Sequence, residues 1–298
     1  MDINFELYKI FYHTVSAGSF SGAAEKLFIT QSAVSQAIKN LETKLGVTLF
    51  FRKTRNLKLT PEGELLFTHI EQAFNFIKTG ERKLNETQNL DFGEIRIGAS
   101  DTVCKYFLMP YLENFHRLYP KIKIQFINRT SPKILENLKN GAIDFGIVTL
   151  PLTDHNVITQ ELTIVTDILI AAPKYVELKG KKIKMVELSG FPLLLLEKAS
   201  ATRRNFDAFL KQNKINLVPE VELESVDLLV EFARIGMGVA HVLKESASAA
   251  IERGELFEVK VEEKIPQRKL GLAVMNQVPL SKAAEMFVDK LISTNCKP

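Results

Sequence analysis

The chain has 298 residues, 46% hydrophobic and 25% charged, which is the size of about two domains and the composition of a folded globular protein rather than a disordered or collagen-like one. No apolar stretch approaches the roughly 20 residues of a spanning helix, and Met1-Asp2-Ile3-Asn4 opens neither a basic leader nor an apolar signal core, so a cytoplasmic protein without a membrane partner is expected. Two cysteines, Cys104 and Cys296, exclude a disulfide framework, and no Cys/His spacing suggests a metal. The net charge of +4 is confined to residues 1–60, where eight basic side chains face four acidic ones; the rest holds 31 of each. A basic head on a neutral body is the footprint of a nucleic-acid module joined to something else.

Leu7, Ile10, Phe11 and Val15 share one helical face, and Gly18 follows as a stop. Ser21 is expected to cap a short second helix whose Ala23, Ala24 and Leu27 allow close packing. Thr30 is expected to cap a third helix ending near Gly46, in which Val34, Ile38, Leu41 and Leu45 make one buried stripe. Off that stripe, Ser32, Ser35, Gln36 and Lys39 lie on one polar face. Two short helices with a tight turn describe a helix-turn-helix. Gln pairs bidentately with adenine, Ser donates or accepts, and Lys reaches guanine or phosphate. A merely solvated helix face is the plainer reading of these residues alone. What favours DNA is residues 49–59, which read as strand, basic turn, strand: a wing with Arg52, Lys53 and Arg55 available to phosphates or the minor groove.

Ser19-Phe20-Ser21-Gly22-Ala23-Ala24-Glu25-Lys26-Leu27 followed by Thr30-Gln31-Ser32-Ala33-Val34-Ser35-Gln36-Ala37-Ile38 resembles the LysR-type bacterial transcriptional regulators. So do Leu41-Glu42, Leu45-Gly46-Val47-Thr48-Leu49-Phe50, Arg52 and Leu59-Thr60-Pro61-Glu62-Gly63. Ser32 stands where that family often has proline, and Phe51 where an acidic residue is usual. The resemblance implies that Gln31, Ser32, Ser35, Gln36 and Lys39 face DNA, with Arg52, Lys53 and Arg55 on the wing.

Thr60-Pro61 is an N-cap followed by proline at the first helical position. From there Leu66, Ile70, Ala73, Ile77, Gly80 and Leu84 form a coiled-coil-like seam to about Gln88. A helix of roughly 28 residues is about 42 Å long. It is expected to be a dimer seam, because a second copy adds affinity and register on DNA; packing on its own domain is the alternative. The resemblance implies paired linker helices, commonly in a dimer of dimers.

After Asn89 short strands and helices alternate, as in a mostly parallel doubly wound sheet. Strands are expected at 94–99, 122–127, 143–148, 167–171, 192–196, 220–223, 238–242 and 270–275. Helices are expected at 107–116, from Ser131 to near Asn140, and at 202–212, 225–235, 244–253 and 281–291. This resembles the same family's co-inducer region, two α/β lobes related to periplasmic solute-binding proteins. The expected fold is therefore α/β behind an all-α-dominated winged helix-turn-helix. The expected domains are a DNA-binding domain at 1–60, a dimerising linker helix at 61–90 and an effector-binding domain at 91–298. Its lobe I covers about 91–163 and 267–298, and its lobe II about 164–266.

Ligands of open α/β sheets sit beyond the strands' carboxyl ends, over helix N-termini. Ser100, Thr102, Thr130, Ser131 and Thr149 hold such positions on one lobe, and Thr202 and His241 on the other. Their hydroxyls suit a small carboxylate or other anion; each is also explicable as a simple N-cap, and His241 as a structural histidine. No nucleophile elbow, phosphate loop or metal-spaced His pair appears, so neither an enzyme nor a cofactor is expected. The rival readings are a thiol-based redox regulator using Cys104, at a helix start that lowers thiol pKa, and a DNA binder without a ligand. Expected partners are operator DNA, a small-molecule co-inducer, further copies of the chain and RNA polymerase.

Overall fold

A computed structural model describes residues 3–51, 57–88, 93–152 and 154–295. The chain forms two compact units, Met1–Glu81 and Arg82–Pro298.

The first unit opens with α1 (Phe5–Ser16), α2 (Phe20–Leu27) and α3 (Gln31–Leu45). The cap of α2 is Ser19, not Ser21: Ser19 is extended and its Oγ accepts from Gly22 N at 3.0 Å, which leaves Ser21 inside the first turn. Thr30 caps α3 by accepting from Ala33 N at 3.2 Å, and left-handed Gly46 ends it. Val34, Ile38 and Leu41 bury their stripe against Leu7, Phe11, Ala23 and Ala24. Among the described residues an antiparallel bridge, Phe50 to Leu59, closes the base of the wing. Its basic tip, Arg52, Lys53 and Arg55, lies outside the described residues.

Helix α4 (Pro61–Gln88) starts where Thr60 Oγ1 accepts from Gly63 N at 3.0 Å while donating to Thr48 O at 2.7 Å. A Cβ on Gly63 would lie 2.2 Å from the Leu49 carbonyl oxygen, so only glycine lets α4 approach the wing this closely. One expectation about this helix changes. Ile70, 9% exposed, and Leu66 belong to the winged domain's own apolar core, so they are not free seam positions. The first compact unit runs on to Glu81 and so takes in most of α4. Ala73 is half-buried, whereas Ile77 and Leu84 remain exposed at 43% and 67%.

The second unit has two lobes. The first begins with β1 (Gly93–Ala99), then α5 (Asp101–Val103), which passes through a π turn into α6 (Met109–Leu118). It continues through β2 (Ile122–Asn128), α7 (Ser131–Lys139), β3 (Phe145–Leu150) and β4 (Val157–Val165). The second lobe holds β5 (Asp167–Ala171), β6 (Lys182–Ile183), β7 (Leu193–Leu196), α8 (Ala201–Gln212), β8 (Val221–Leu223), α9 (Val226–Arg234), β9 (Val239–Leu243), α10 (Lys244–Glu252) and β10 (Phe257–Val261). The chain then returns to the first lobe with β11 (Arg268–Met275) and α11 (Lys282–Asn295).

The sheets run β2-β1-β3-β11-β4 and β6-β10-β5-β9-β7-β8. Both are mixed: β11 is antiparallel to β3 and β4, and β5 is antiparallel to β9 and β10. The crossovers fall at Thr166 and between Val261 and Arg268, because β4 continues two residues past the expected boundary at 163. Core packing fixes the details. A Cβ on Gly146 would meet Ile134 of α7 at 2.4 Å, so glycine lets this helix seat directly on β3.

Candidate functional site

Each unit presents its own candidate surface. In the first, amphipathic α3 leaves Gln31, Ser32, Ser35, Gln36 and Lys39 exposed while its opposite face is buried. The Ser32 hydroxyl lies 2.9 Å from Thr30 Oγ1, so it is engaged at the cap, whereas Ser35, Gln36 and Lys39 project from the middle of the helix. The wing is tied to this helix by Glu42. Its buried carboxylate accepts from Leu49 N at 2.7 Å and Phe50 N at 3.4 Å, fixing the wing's first strand relative to α3. The Leu41-Glu42 pair was visible in the sequence, but an acidic residue in a basic head gives no hint that it is a buried acceptor.

In the second unit a cavity of about 640 Å³ opens between the lobes. It lies at the carboxyl ends of β1, β2, β3, β7, β8 and β9, as open α/β sheets require. Of the seven residues expected there, Ser100, Thr102, Thr130, Ser131, Thr149 and Thr202 line it.

Their hydroxyls are not equivalent. Ser100 Oγ accepts from Val103 N at 3.4 Å, and Ser131 Oγ accepts from Thr149 N at 3.2 Å, tying the start of α7 to the end of β3. Thr130 and Ser200 are the N-cap residues of α7 and α8, yet neither side chain caps its helix. Thr202 is only 7% exposed, and its hydroxyl has no hydrogen-bond partner among the described residues.

The seventh residue is misplaced. His241 sits in the middle of β9, 2% exposed, with its ring stacked on Phe206 at a centroid distance of 4.0 Å. Burial lowers its pKa to about 4, so the ring is neutral and structural. The strand runs two residues beyond it, to Leu243, so Leu243 rather than His241 meets the cavity. The nearby Arg203 is also structural: buried, it donates to Leu196 O at 2.8 Å and to Asp207 and Glu222.

Cys104 does not carry the redox reading. Burial and then the Asp101 carboxylate push its thiol pKa up, the opposite of a nucleophilic thiolate. Cys296 lies outside the described residues.

Two contacts that link the lobes gave no sequence signal. Asp227 of α9 accepts from Lys105 Nζ at 2.7 Å and from the Tyr106 hydroxyl, and Tyr106 also lines the cavity. Arg268, another lining residue, holds Asp167 through two hydrogen bonds. Both pairs join residues more than 100 positions apart, beyond the reach of any local pattern.

A helix-turn-helix with a wing base, followed by a two-lobed α/β unit with an interlobe cavity, defines a DNA-binding regulator fused to an effector-binding domain. Comparison with known proteins agrees. A family profile described as "Bacterial regulatory helix-turn-helix protein, lysR family" matches residues 5–64, and one described as "LysR substrate binding domain" matches residues 88–295. The chain belongs to the LysR family of DNA-binding transcriptional regulators. It is 29% identical over 286 residues to a probable RuBisCO transcriptional regulator from Cyanidium caldarium, covering 92% of this chain and 89% of that one. The fold matches full-length CbnR in complex with its target DNA at a TM-score of 0.71, with 17% identity over 99% of this chain and 100% of that one. The regulatory domain of CcmR from Synechocystis PCC6803, in complex with 2-PG, matches at a TM-score of 0.62, with 21% identity over 68% of this chain and 98% of that one.

Proposed function

We propose that the interlobe cavity holds a small effector bearing a carboxylate or other anionic group, and that its binding sets the affinity of the α3 face for operator DNA. The observation that carries this reading is the open start of α7 at the cavity, where the cap residue Thr130 leaves its hydroxyl free beside Arg129; α8 begins on the opposite lobe at the same cavity, with the Ser200 hydroxyl equally uncommitted. A helix N-terminus carries about half a positive charge and unpaired N–H groups, a ready anion site. That the related CcmR domain was captured with 2-PG supports the same reading.

On DNA, Ser35 and Gln36 read base edges; Gln31, Ser32 and Lys39 flank them; Arg52, Lys53 and Arg55 of the wing hold phosphates. The protein acts by binding, not catalysis, as a cytoplasmic regulator. It associates through the exposed Ile77 and Leu84 of α4 as a dimer, pairing further into a tetramer, and meets RNA polymerase at its promoters. No helix among the described residues is long and apolar enough to cross a membrane.

The test is a thermal-shift screen of small carboxylates and phosphorylated acids, followed by footprinting of DNA upstream of the protein's own gene with each hit. A hit that alters the footprint is expected; hits that bind and leave every footprint unchanged would refute the coupling.

A further inference from the structure

We infer that the effector is a zwitterion of amino-acid type, with its anionic end on the first lobe and a cationic group on the second. The inference rests on the reading of the interlobe cavity as the effector site and adds a chemical class to it.

The charged side chains around the cavity divide by lobe. The first lobe contributes Arg129 and Asp101 beside its row of hydroxyls. It also contributes Arg268, but that guanidinium is held by Asp167 and offers no net charge. The second lobe contributes three carboxylates, Glu197, Glu224 and Glu245, and no Lys, Arg or His among its described lining residues. None of the three has an ion-pair partner among the described residues.

Their placement follows from topology. Glu197 follows β7 and Glu224 follows β8, two parallel neighbours in register at Leu196 and Leu223. Glu245 is the second residue of α10, directly after β9, which runs parallel on the other side of β7. Three adjacent strands thus deliver three carboxylates to one edge of the cavity. Beside them Thr202, only 7% exposed, lines the same space, and its hydroxyl has no hydrogen-bond partner among the described residues.

A purely anionic effector reaching across to α8 meets this row of negative charge, and like charges repel. An ammonium or guanidinium group turns the same row into an attraction, while Arg129 and the start of α7 take the anionic end. Among the described residues no three acidic or imidazole groups converge closely enough to hold a metal ion. Contacts to both lobes give such a ligand a direct hold on how closely they approach.

The experiment uses full-length protein and matched probes: glutamate with glutarate and 2-oxoglutarate, aspartate with succinate, γ-aminobutyrate with butyrate, each remaining protein amino acid with its deaminated acid, and the amine putrescine. Calorimetry is expected to find the tightest binder among the aminated acids, with its unaminated counterpart weaker by about tenfold or more. Glu197→Gln should weaken the aminated binder by a similar factor and leave unaminated acids unchanged or tighter. Glu224→Gln, at an exposed rim position, repeats the test should the first variant fold poorly. A panel without an aminated binder overturns the zwitterion. So does an unaminated acid that binds as tightly as its aminated counterpart; if Thr202→Val weakens it, the cavity survives as the site. Binding indifferent to Thr202→Val and both glutamate variants overturns the cavity itself.

Discussion

Arg268 and Asp167 meet at the two points where the chain passes between the lobes. The guanidinium at the start of β11 grips the carboxylate at the start of β5, with Nη2 2.6 Å from Oδ1 and both residues buried. Arg268 also lines the cavity, so the pair sits between the crossovers and the effector. Breaking a buried pair from one side leaves an uncompensated charge, at about 3–5 kcal/mol. Arg268→Met is therefore expected to lower unfolding free energy by that amount in denaturant titration. Adding Asp167→Asn should recover most of the loss, because the stranded carboxylate is then gone.

On the DNA side, Ser35→Ala or Gln36→Ala should relax discrimination at one operator position by about 1–3 kcal/mol. Arg52→Ala, on the sequence reading of the wing, should weaken all DNA alike and reduce the salt slope by about one unit. A base-substitution scan separates the two effects. Unchanged selectivity in both helix variants would contradict the role given to α3.

Burial divides the α4 stripe. Ile70 is engaged inside the winged domain, so an Ile70 variant reports on folding, while Ile77 is 43% exposed and free to meet a second copy. Ile77→Glu places two charges opposite each other in an apolar seam, which is costly. Sedimentation should show a smaller particle with an unchanged melting temperature for the effector domain. An unchanged oligomer would remove α4 from the interface.

His241 makes stability depend on pH. Its folded pKa of about 4 lies below the ordinary 6.5, so between those values the unfolded chain binds more protons than the folded one. Stability is thus full above pH 6.5 and falls as the pH drops towards 4, by up to about 3 kcal/mol from this residue. His241→Leu should flatten the denaturation midpoint across that window relative to wild type. Parallel pH curves for the two proteins would show that the ring titrates normally.

The DNA-binding half was legible because its signals are local. The Thr30 cap, the 34-38-41 stripe and the Thr60-Pro61 helix start all act within a few residues, and each appears where the spacing put it. The same locality misled at α2, where two serines two positions apart both suit a cap and only the backbone angle at Ser19 decides. It misled again at Ile70, since a heptad stripe does not say which surface covers it. In the effector domain, residues at strand ends and helix starts were readable as positions, and six of the seven reach the cavity. The exception, His241, failed because β9 runs on two residues past it, to Leu243. Strands β4, β6 and β10 went unread: two lie at sheet edges or are only two residues long, and β10 is held by pairing with β5 and β6 from far along the chain. Nothing local marks the Asp167–Arg268 and Tyr106–Asp227 contacts, or the gathering of Glu197, Glu224 and Glu245, because sheet order alone brings them together.

The most direct measurement titrates a footprint-altering effector against operator-bound wild type and Thr202→Val. Valine keeps the shape of this buried side chain and removes only the unpartnered hydroxyl. Losing one ligand hydrogen bond costs about 1–2 kcal/mol, so the variant should need roughly five- to thirty-fold more effector for the same footprint change. Its affinity for DNA without effector should match wild type. A footprint that changes at the same concentration in both proteins would place the effector outside the cavity and contradict the account.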